Sequence, residues 1–501
     1  MYPPKWQPSL FRWHRTPVTF RQAWQFALGT IPHWRDGTLV DYLAVELPGN
    51  DDLLLARLPL LRYAVVRDPA MARHVLITNQ DNYMKSADYD MAAVFFGRAL
   101  GTELDYQRWQ RNRHLVQPVF GKRNMAQFDA MITDAAADAV RRINDLCVNE
   151  QPVDIGAEMN RLTLDVIART MFGTDLSGPM SEVTLDRMLR MFGTGFVIDI
   201  FRRRLRSLSM LLVKISPASG ENWCRRLPLR VYRAAMIIIA PGALKDLRHI
   251  DRVIYQLIAD HRQGDITRKD NLLALLMEAH DPETGRRFSD IEIHDELEGF
   301  IGAGMETTAT TLSWTWKLLA EHRQVYDRLI TEVDTVLGGR MPTAADVEHL
   351  PFTLAVIEET LRLYPPVAFL ARVALGDDII AGVPVPAGTT VAISLHGLHY
   401  HNRVWQCPAE YNPARYLDAN LERPQRLSTM PFGGGKKMCI ASGFALSELV
   451  LLVATLAQQV RFYRADDTVI RPEISFSCGP NAPIMVTPEF RSSPNRREYA
   501  T

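Results

Sequence analysis

Cys439 follows Pro431-Phe432-Gly433-Gly434-Gly435-Lys436-Lys437-Met438 and precedes an apolar stretch, Ile440 to Val460, that reads as a helix. Successive glycines let the backbone fold tightly around one atom, and their N–H groups can donate to a buried sulfur anion. A sulfur at a helix N-terminus also has its thiolate favoured by the helix dipole. The local chemistry asks for an anionic sulfur, the form that ligates metals. Two other readings compete. Gly435-Lys436 suggests a phosphate loop, but that motif requires Ser or Thr where Lys437 stands. An inert cysteine beside a flexible loop is the ordinary reading of an isolated thiol.

A second stretch with chemical capacity is Gly302-Ala303-Gly304-Met305-Glu306-Thr307-Thr308. It places poor helix formers and an acid in the middle of the longest predicted helix. That helix starts at a capping box, Ser289 with Glu292, and continues through Leu297, Ile301, Thr308 and Leu312 to about His322. It spans roughly 34 residues, or on the order of 50 Å. Either the small residues kink the helix for close packing, or they open a groove for a ligand while Thr307 loosens the local hydrogen bonding. A third pair, Glu359 and Arg362, lies on one face of a helix stopped by Pro365-Pro366. Taken alone it reads as a surface ion pair.

The elements that must position these groups are mostly helical. Apolar residues repeat at helical spacing from about 124 to 172 and from 243 to 262, as in Ile250, Val253, Ile254, Leu257 and Ile258. Between Val373 and Leu398, Gly382, Pro384, Pro386 and Gly388 punctuate β-branched runs, which predicts a small sheet. His399 to Leu417 has neither period and reads as ordered coil. The expected fold class is mainly α with a small β region. At 501 residues and 47% hydrophobic, the chain can bury a large core. Its 57 basic residues balance 57 acidic ones, which removes the global basic field that favours nucleic acid. Five scattered cysteines exclude a disulfide scaffold and a paired-thiolate zinc cage. The N-terminus lacks a signal-peptide pattern and no long apolar run is present, so a cytoplasmic chain without a membrane-spanning helix is expected.

Taken together, these segments resemble the cytochrome P-450 family of haem-thiolate enzymes. Phe432, Gly435, Lys437 and Cys439 match its cysteine loop, and Ala303-Gly304-Met305-Glu306-Thr307-Thr308 its oxygen-binding helix. Glu359-Thr360-Leu361-Arg362 matches its Glu-x-x-Arg helix, with Pro413-Ala414-Arg415-Tyr416 resembling the coil whose arginine locks onto that pair. Trp109 and Arg113 match a helix that holds a haem propionate. Lys437 stands where Arg or His is usual, and Ala441 where Gly is usual; lysine keeps the charge but loses the planar fork.

The resemblance implies one cytochrome P-450 catalytic domain over residues 1–501, with a long central helix over haem b. Residues 1–50 would be an N-terminal extension and 190–245 a candidate substrate lid. Cys439 would be the iron ligand. Trp109, Arg113, Arg372 and Lys437 would neutralise the propionates, and Ala303, Gly304, Phe432 and Gly433 would also line the cofactor. Glu306 and Thr307 would deliver protons to bound dioxygen, while Glu359, Arg362 and Arg415 would be structural. Electrons from NAD(P)H would come through a separate partner, a ferredoxin with its reductase or a flavoprotein reductase. Arg111, Lys122, Arg123 and Lys436 form a candidate docking patch for it.

The wording of the Glu-x-x-Arg helix is closest to the microsomal-like branch, without that branch's anchor. Phe95, Phe96 and Leu100, with the apolar run Ala234 to Ala240, favour a hydrophobic substrate such as a fatty acid, terpenoid or steroid-like molecule. The arginine-flanked run also offers a peripheral membrane contact, and a monomer is expected. A peroxygenase or isomerase on the same cofactor, and a haem sensor or carrier, are the competing functions; neither needs the Glu306-Thr307 pair.

Overall fold

The computed structural model describes residues 53–491 apart from 59–60, 87–88, 122–123, 125, 147–151, 174–240, 264–269, 282–283, 418–427 and 475–476. The candidate N-terminal extension and nearly all of the candidate lid lie outside the described residues, as do Lys122 and Arg123.

The longer helices are α1 (Tyr89–Phe96), α2 (Tyr106–Val116), α3 (Asp129–Leu146), α4 (Ile155–Phe172) and α5 (Pro241–Gln263). They continue with α6 (Leu272–Glu278), α7 (Asp290–Glu321), α8 (Arg323–Leu337), α9 (Pro351–Leu363) and α10 (Ser442–Gln459). The periodic stretch expected from 124 to 172 is two helices, because Val153–Asp154 forms strand β4 and Asp154 caps α4 through the Gly156 N–H.

The central helix α7 has the capping box expected of it. Ser289 Oγ accepts from the Glu292 N–H at 3.3 Å, and Glu292 Oε2 accepts from the Ser289 N–H at 2.9 Å. Its middle and C-terminal half are deeply buried, with Leu297, Leu312, Trp314 and Trp316 fully enclosed. Small residues set how closely neighbours approach. A Cβ at Gly302 would collide with the Phe96 ring, one at Gly299 would stand 2.5 Å from Cβ of Ala99, and one at Gly304 would stand 3.2 Å from Ile167. The glycines of this helix therefore make room for protein side chains from α1, the turn after it and α4.

The main sheet has strand order β1-β2-β8-β5-β3. Strands β1 (Leu53–Leu58) and β2 (Leu61–Val66) are antiparallel, and β2 runs parallel to β8 (Thr390–Ser394). Strand β5 (Phe369–Ala374) lies antiparallel to both β8 and the edge strand β3 (Tyr83–Lys85). The predicted region 373–398 thus contributes only part of this sheet. A hairpin of β6 (Asp378–Ile380) with β7 (Val383–Val385) belongs to the same region. The C-terminal strands β9 (Val460–Arg464) and β12 (Met485–Phe490) join β4, and β10 (Pro472–Ile474) pairs with β11 (Cys478–Pro480).

Helix α10 is the one described helix long and apolar enough to cross a membrane, and most of it is buried in the largest core cluster against α3 and α8. Its apolar character is that of a core helix.

Candidate active site around Cys439

The cysteine loop is built against residues 74–81. Gly433 and Gly435 have φ values of 76° and 67°, the left-handed region that favours glycine. At Gly435 space is also decisive, since a Cβ would collide with the Leu76 carbonyl oxygen and stand 2.5 Å from Gln80 Oε1. The loop is closed by the Cys439 N–H donating to the Phe432 carbonyl at 2.9 Å and the Gly433 N–H donating to Met430 at 2.9 Å. Lys436 anchors it outside, its main-chain N–H on Gln80 Oε1 at 2.6 Å and its ammonium on Asp81 at 2.7 Å. Gly434 rests on Ile77, and Phe432 packs on the main core.

The helix after the cysteine begins at Ser442 rather than Ile440. The main-chain donor to the sulfur is Ala441, not one of the glycines. Burial pushes the Cys439 thiol pKa up, while the Ala441 N–H and the Arg113 charge pull it down. Cys439 forms no disulfide.

Around Trp109, which is buried, cations converge. The Arg113 guanidinium lies 5.8 Å from the indole ring centre and donates to the Met438 carbonyl at 3.0 Å, tying α2 to the cysteine loop. Lys437 Nζ lies 5.3 Å from the same ring and donates to the Tyr83 carbonyl at 3.0 Å. Lys85 Nζ lies 6.0 Å from it and donates to the Leu100 carbonyl. Arg372 faces Lys85 directly across the β3–β5 register, and both are buried. Like charges directly opposite on neighbouring strands repel. Burial, then the Arg372 charge, lower Lys85 to about 7 and Lys437 to about 8. Sequence reasoning missed Lys85, since one lysine in a three-residue strand carries no local signal.

On α7, Ala303 is exposed and Gly304 and Thr307 are half-buried, between fully buried residues on either side. They form an open strip on an otherwise enclosed helix. The Thr307 hydroxyl donates to the Ala303 carbonyl at 2.6 Å. Glu306 points elsewhere: its Oε1 accepts from the Ser477 hydroxyl at 2.8 Å and the Ser477 N–H at 3.2 Å. The Ser477 hydroxyl is also 3.0 Å from the Thr310 hydroxyl. Burial raises the Glu306 pKa, and the Ser477 bonds oppose that shift. Ser477 was not foreseen; it lies just before β11, remote in sequence from α7.

Glu359 and Arg362 are fully buried and make a bidentate pair at 2.7 and 2.8 Å. Arg415 Nε joins at 3.2 Å, and the Asn412 N–H donates to Glu359 Oε1 at 2.9 Å. Arg362 also donates to the carbonyls of His399, Pro408 and Glu410, while Arg415 holds those of Gln406 and Cys407. This pair, which alone reads as a surface ion pair, is the organising centre of the 399–417 coil. Arg111 departs from the docking-patch expectation, because its guanidinium is committed to Glu292 at the N-terminus of α7.

The family model for cytochrome P-450 matches residues 61–481. The putative cytochrome P-450 132 of Mycobacterium tuberculosis (strain CDC 1551 / Oshkosh) is 31% identical over 433 residues, 85% of this chain and 87% of that protein. Cyclooctat-9-en-7-ol 5-monooxygenase of Streptomyces melanosporofaciens is 30% identical over 445 residues, 88% of each chain. Pentalenene oxygenase of Streptomyces avermitilis is 30% identical over 431 residues, 85% of this chain and 88% of that protein. This chain belongs to the cytochrome P-450 family, with the mainly helical fold, the haem-thiolate cofactor and the monooxygenase activity that membership entails. Enzymes of this kind draw electrons from a redox partner.

The residues present fit a haem. A thiol aided by a main-chain donor and an arginine suits an iron ligand. Buried cations that depress one another suit two propionates.

Proposed function

We propose that this chain inserts one oxygen atom from dioxygen into an apolar terpenoid-like molecule, by hydroxylation or epoxidation. Haem b, when bound, supplies the reductive activation of dioxygen. In this reading residues 1–501 act as one catalytic domain, and Cys439 supplies the iron ligand. Trp109, Arg113, Arg372, Lys437 and Lys85 hold the propionates, while Phe432, Gly433, Ala303 and Gly304 border the cofactor. Glu359, Arg362 and Arg415 fix the coil that carries the cysteine loop.

The carrying observation is the open strip of Ala303, Gly304 and Thr307 on the buried helix α7, with the buried acid Glu306 beside it. Ala303 contributes no polar atom, so a substrate there is held by shape and apolar contact. Thr307 donates to its own helix in this state, and rotation of its hydroxyl redirects the proton toward the open side. Glu306, whose pKa burial raises against the Ser477 bonds and which hydrogen-bonds the Ser477 hydroxyl next to Thr310, is a proton donor one residue away. A peroxygenase or a haem carrier has no use for this pair. The terpenoid class is supported by the relatives named for cyclooctat-9-en-7-ol and pentalenene.

We further infer a cytoplasmic enzyme that acts as a monomer and takes electrons from NAD(P)H through a ferredoxin system or a flavoprotein reductase. The test is a reduced, carbon monoxide-bound spectrum, followed by reconstitution with a ferredoxin and its reductase on a terpenoid panel. A Soret band of the histidine-ligated type in undamaged protein would overturn the thiolate assignment. A substrate-induced high-spin shift confined to fatty acids would overturn the terpenoid class.

A further inference from the structure

Away from the haem site, α5 and α7 meet at a second group of ligating side chains. A carboxylate oxygen of Asp251, a ring nitrogen of His294 and a carboxylate oxygen of Glu298 lie within 4.8 Å of one another. His294 and Glu298 are four residues apart and so share one face of α7, and Asp251 faces them from α5. The His294 and Glu298 side chains are each 6% exposed, whereas Asp251, at 36%, stands at the rim.

The orientation of the imidazole is the independent observation. Its Nδ1 lies 3.3 Å from Asp295 Oδ1, and Asp295 Oδ2 is itself held by the Arg98 N–H at 2.8 Å. The Tyr255 ring stacks on the imidazole, centroids 4.3 Å apart and planes inclined by 12°, which fixes the ring plane. The other nitrogen, Nε2, is buried without a hydrogen-bond partner and stands 3.4 Å from Asp251 Oδ1, outside hydrogen-bonding geometry. A carboxylate on one imidazole nitrogen, which turns the other toward the metal, is how metal-ligating histidines are held. Ligand atoms about 2.0–2.2 Å from a tetrahedral zinc ion stand about 3.3–3.6 Å apart; the His294–Asp251 separation of 3.4 Å matches, and Glu298, whose nearest approach is 3.9 Å from Nδ1, would close by a side-chain rotation.

We infer that Asp251, His294 and Glu298 form a binding site for a first-row divalent cation, with zinc as the best-matched ion. One nitrogen and two carboxylate oxygens leave a fourth position for water, and an imidazole donor with only two carboxylates suits zinc better than calcium or magnesium, which take all-oxygen sets. The cation would clamp α5 to the central helix.

The haem-loaded full chain is dialysed against EDTA, then equilibrated with micromolar zinc chloride, and bound zinc is measured by atomic emission. The expected result is one more zinc ion per chain in the wild type than in Asp251→Asn or His294→Gln, with a zinc-dependent rise in melting temperature that both variants lose. Asp251→Asn changes a rim residue, and an unchanged carbon monoxide spectrum certifies its fold. Equal zinc in wild type and Asp251→Asn, or no zinc in the wild type, overturns the site and leaves a protonated histidine among carboxylates.

Discussion

Met430 donates its main-chain N–H to Nε2 of His399 across 3.0 Å. Because Nε2 accepts, the ring hydrogen sits on Nδ1, which donates to the Arg362 carbonyl at 3.0 Å. Arg362 returns a bond to the His399 carbonyl, and Met430 accepts from Gly433 within the cysteine loop. One neutral imidazole therefore joins the buried triad to the loop that carries Cys439. Replacing it with Ala leaves Met430 without its acceptor and should cost about 1–3 kcal/mol. The expected signs are a lower melting temperature and faster loss of the thiolate spectrum in dilute urea. Unchanged spectral decay would show that the link is dispensable.

The same residue sets an acid limit. Burial, and then the Arg362 charge, lower His399 to about 3, and burial lowers His396 to about 4. In the unfolded chain both protonate near the ordinary value of 6.5, so there the unfolded state binds more protons than the folded one. Stability should fall as pH drops from about 6.5 toward 4, and His399→Asn should make the decline shallower. Urea midpoints measured across that range check the sign.

Removing the Glu359 carboxylate strands two arginine charges. Glu359→Ala should cost about 3–5 kcal/mol and yield protein with little bound haem. Arg415→Lys should be milder, because Arg415 sits nearer solvent than Arg362. The ratio of Soret to protein absorbance in purified samples reports both.

Lys85 should couple haem uptake to protons. With a pKa of about 7 beside Arg372, part of the population is neutral at neutral pH, and a dianionic ligand favours its charged form. Haem binding to apoprotein should therefore weaken as pH rises through 7, and Lys85→Gln should weaken binding at low pH while flattening that dependence. Soret titrations on either side of pH 7 decide it.

Thr307→Ala should lower product formed per electron consumed by roughly tenfold or more, with hydrogen peroxide released in its place, since general acid–base catalysis is worth about 100-fold at its lower end. Ser477→Ala removes the hydroxyl bond, the larger of the two that oppose the rise of the Glu306 pKa, and leaves the main-chain N–H bond in place, so Glu306 should ionise at higher pH. A pH profile of coupling that does not move would separate Glu306 from proton delivery.

How far the sequence could be read depended on whether each signal was local. The capping box at Ser289 and Glu292 and the apolar repeat behind it announced α7 to within a residue or two. The cysteine loop was legible because its residues adjoin one another. The β1–β2 hairpin and the C-terminal strands were not read, their runs being too short to separate from helix faces or coil. Arg111 looked like surface charge because its partner Glu292 is remote in the chain. Lys85 and Ser477 were invisible for the same reason: each matters only through a partner that folding brings to it.

The register pairing of Lys85 with Arg372 bears on how the cell husbands this protein. Strand β3 is the edge of the main sheet, and in a chain made without its cofactor the repulsion between Lys85 and Arg372 should weaken the pairing that holds that edge to β5. Proteases and aggregation act first on such loosened edges. Steady-state abundance of the enzyme should therefore track the haem supply, with surplus polypeptide cleared before it accumulates.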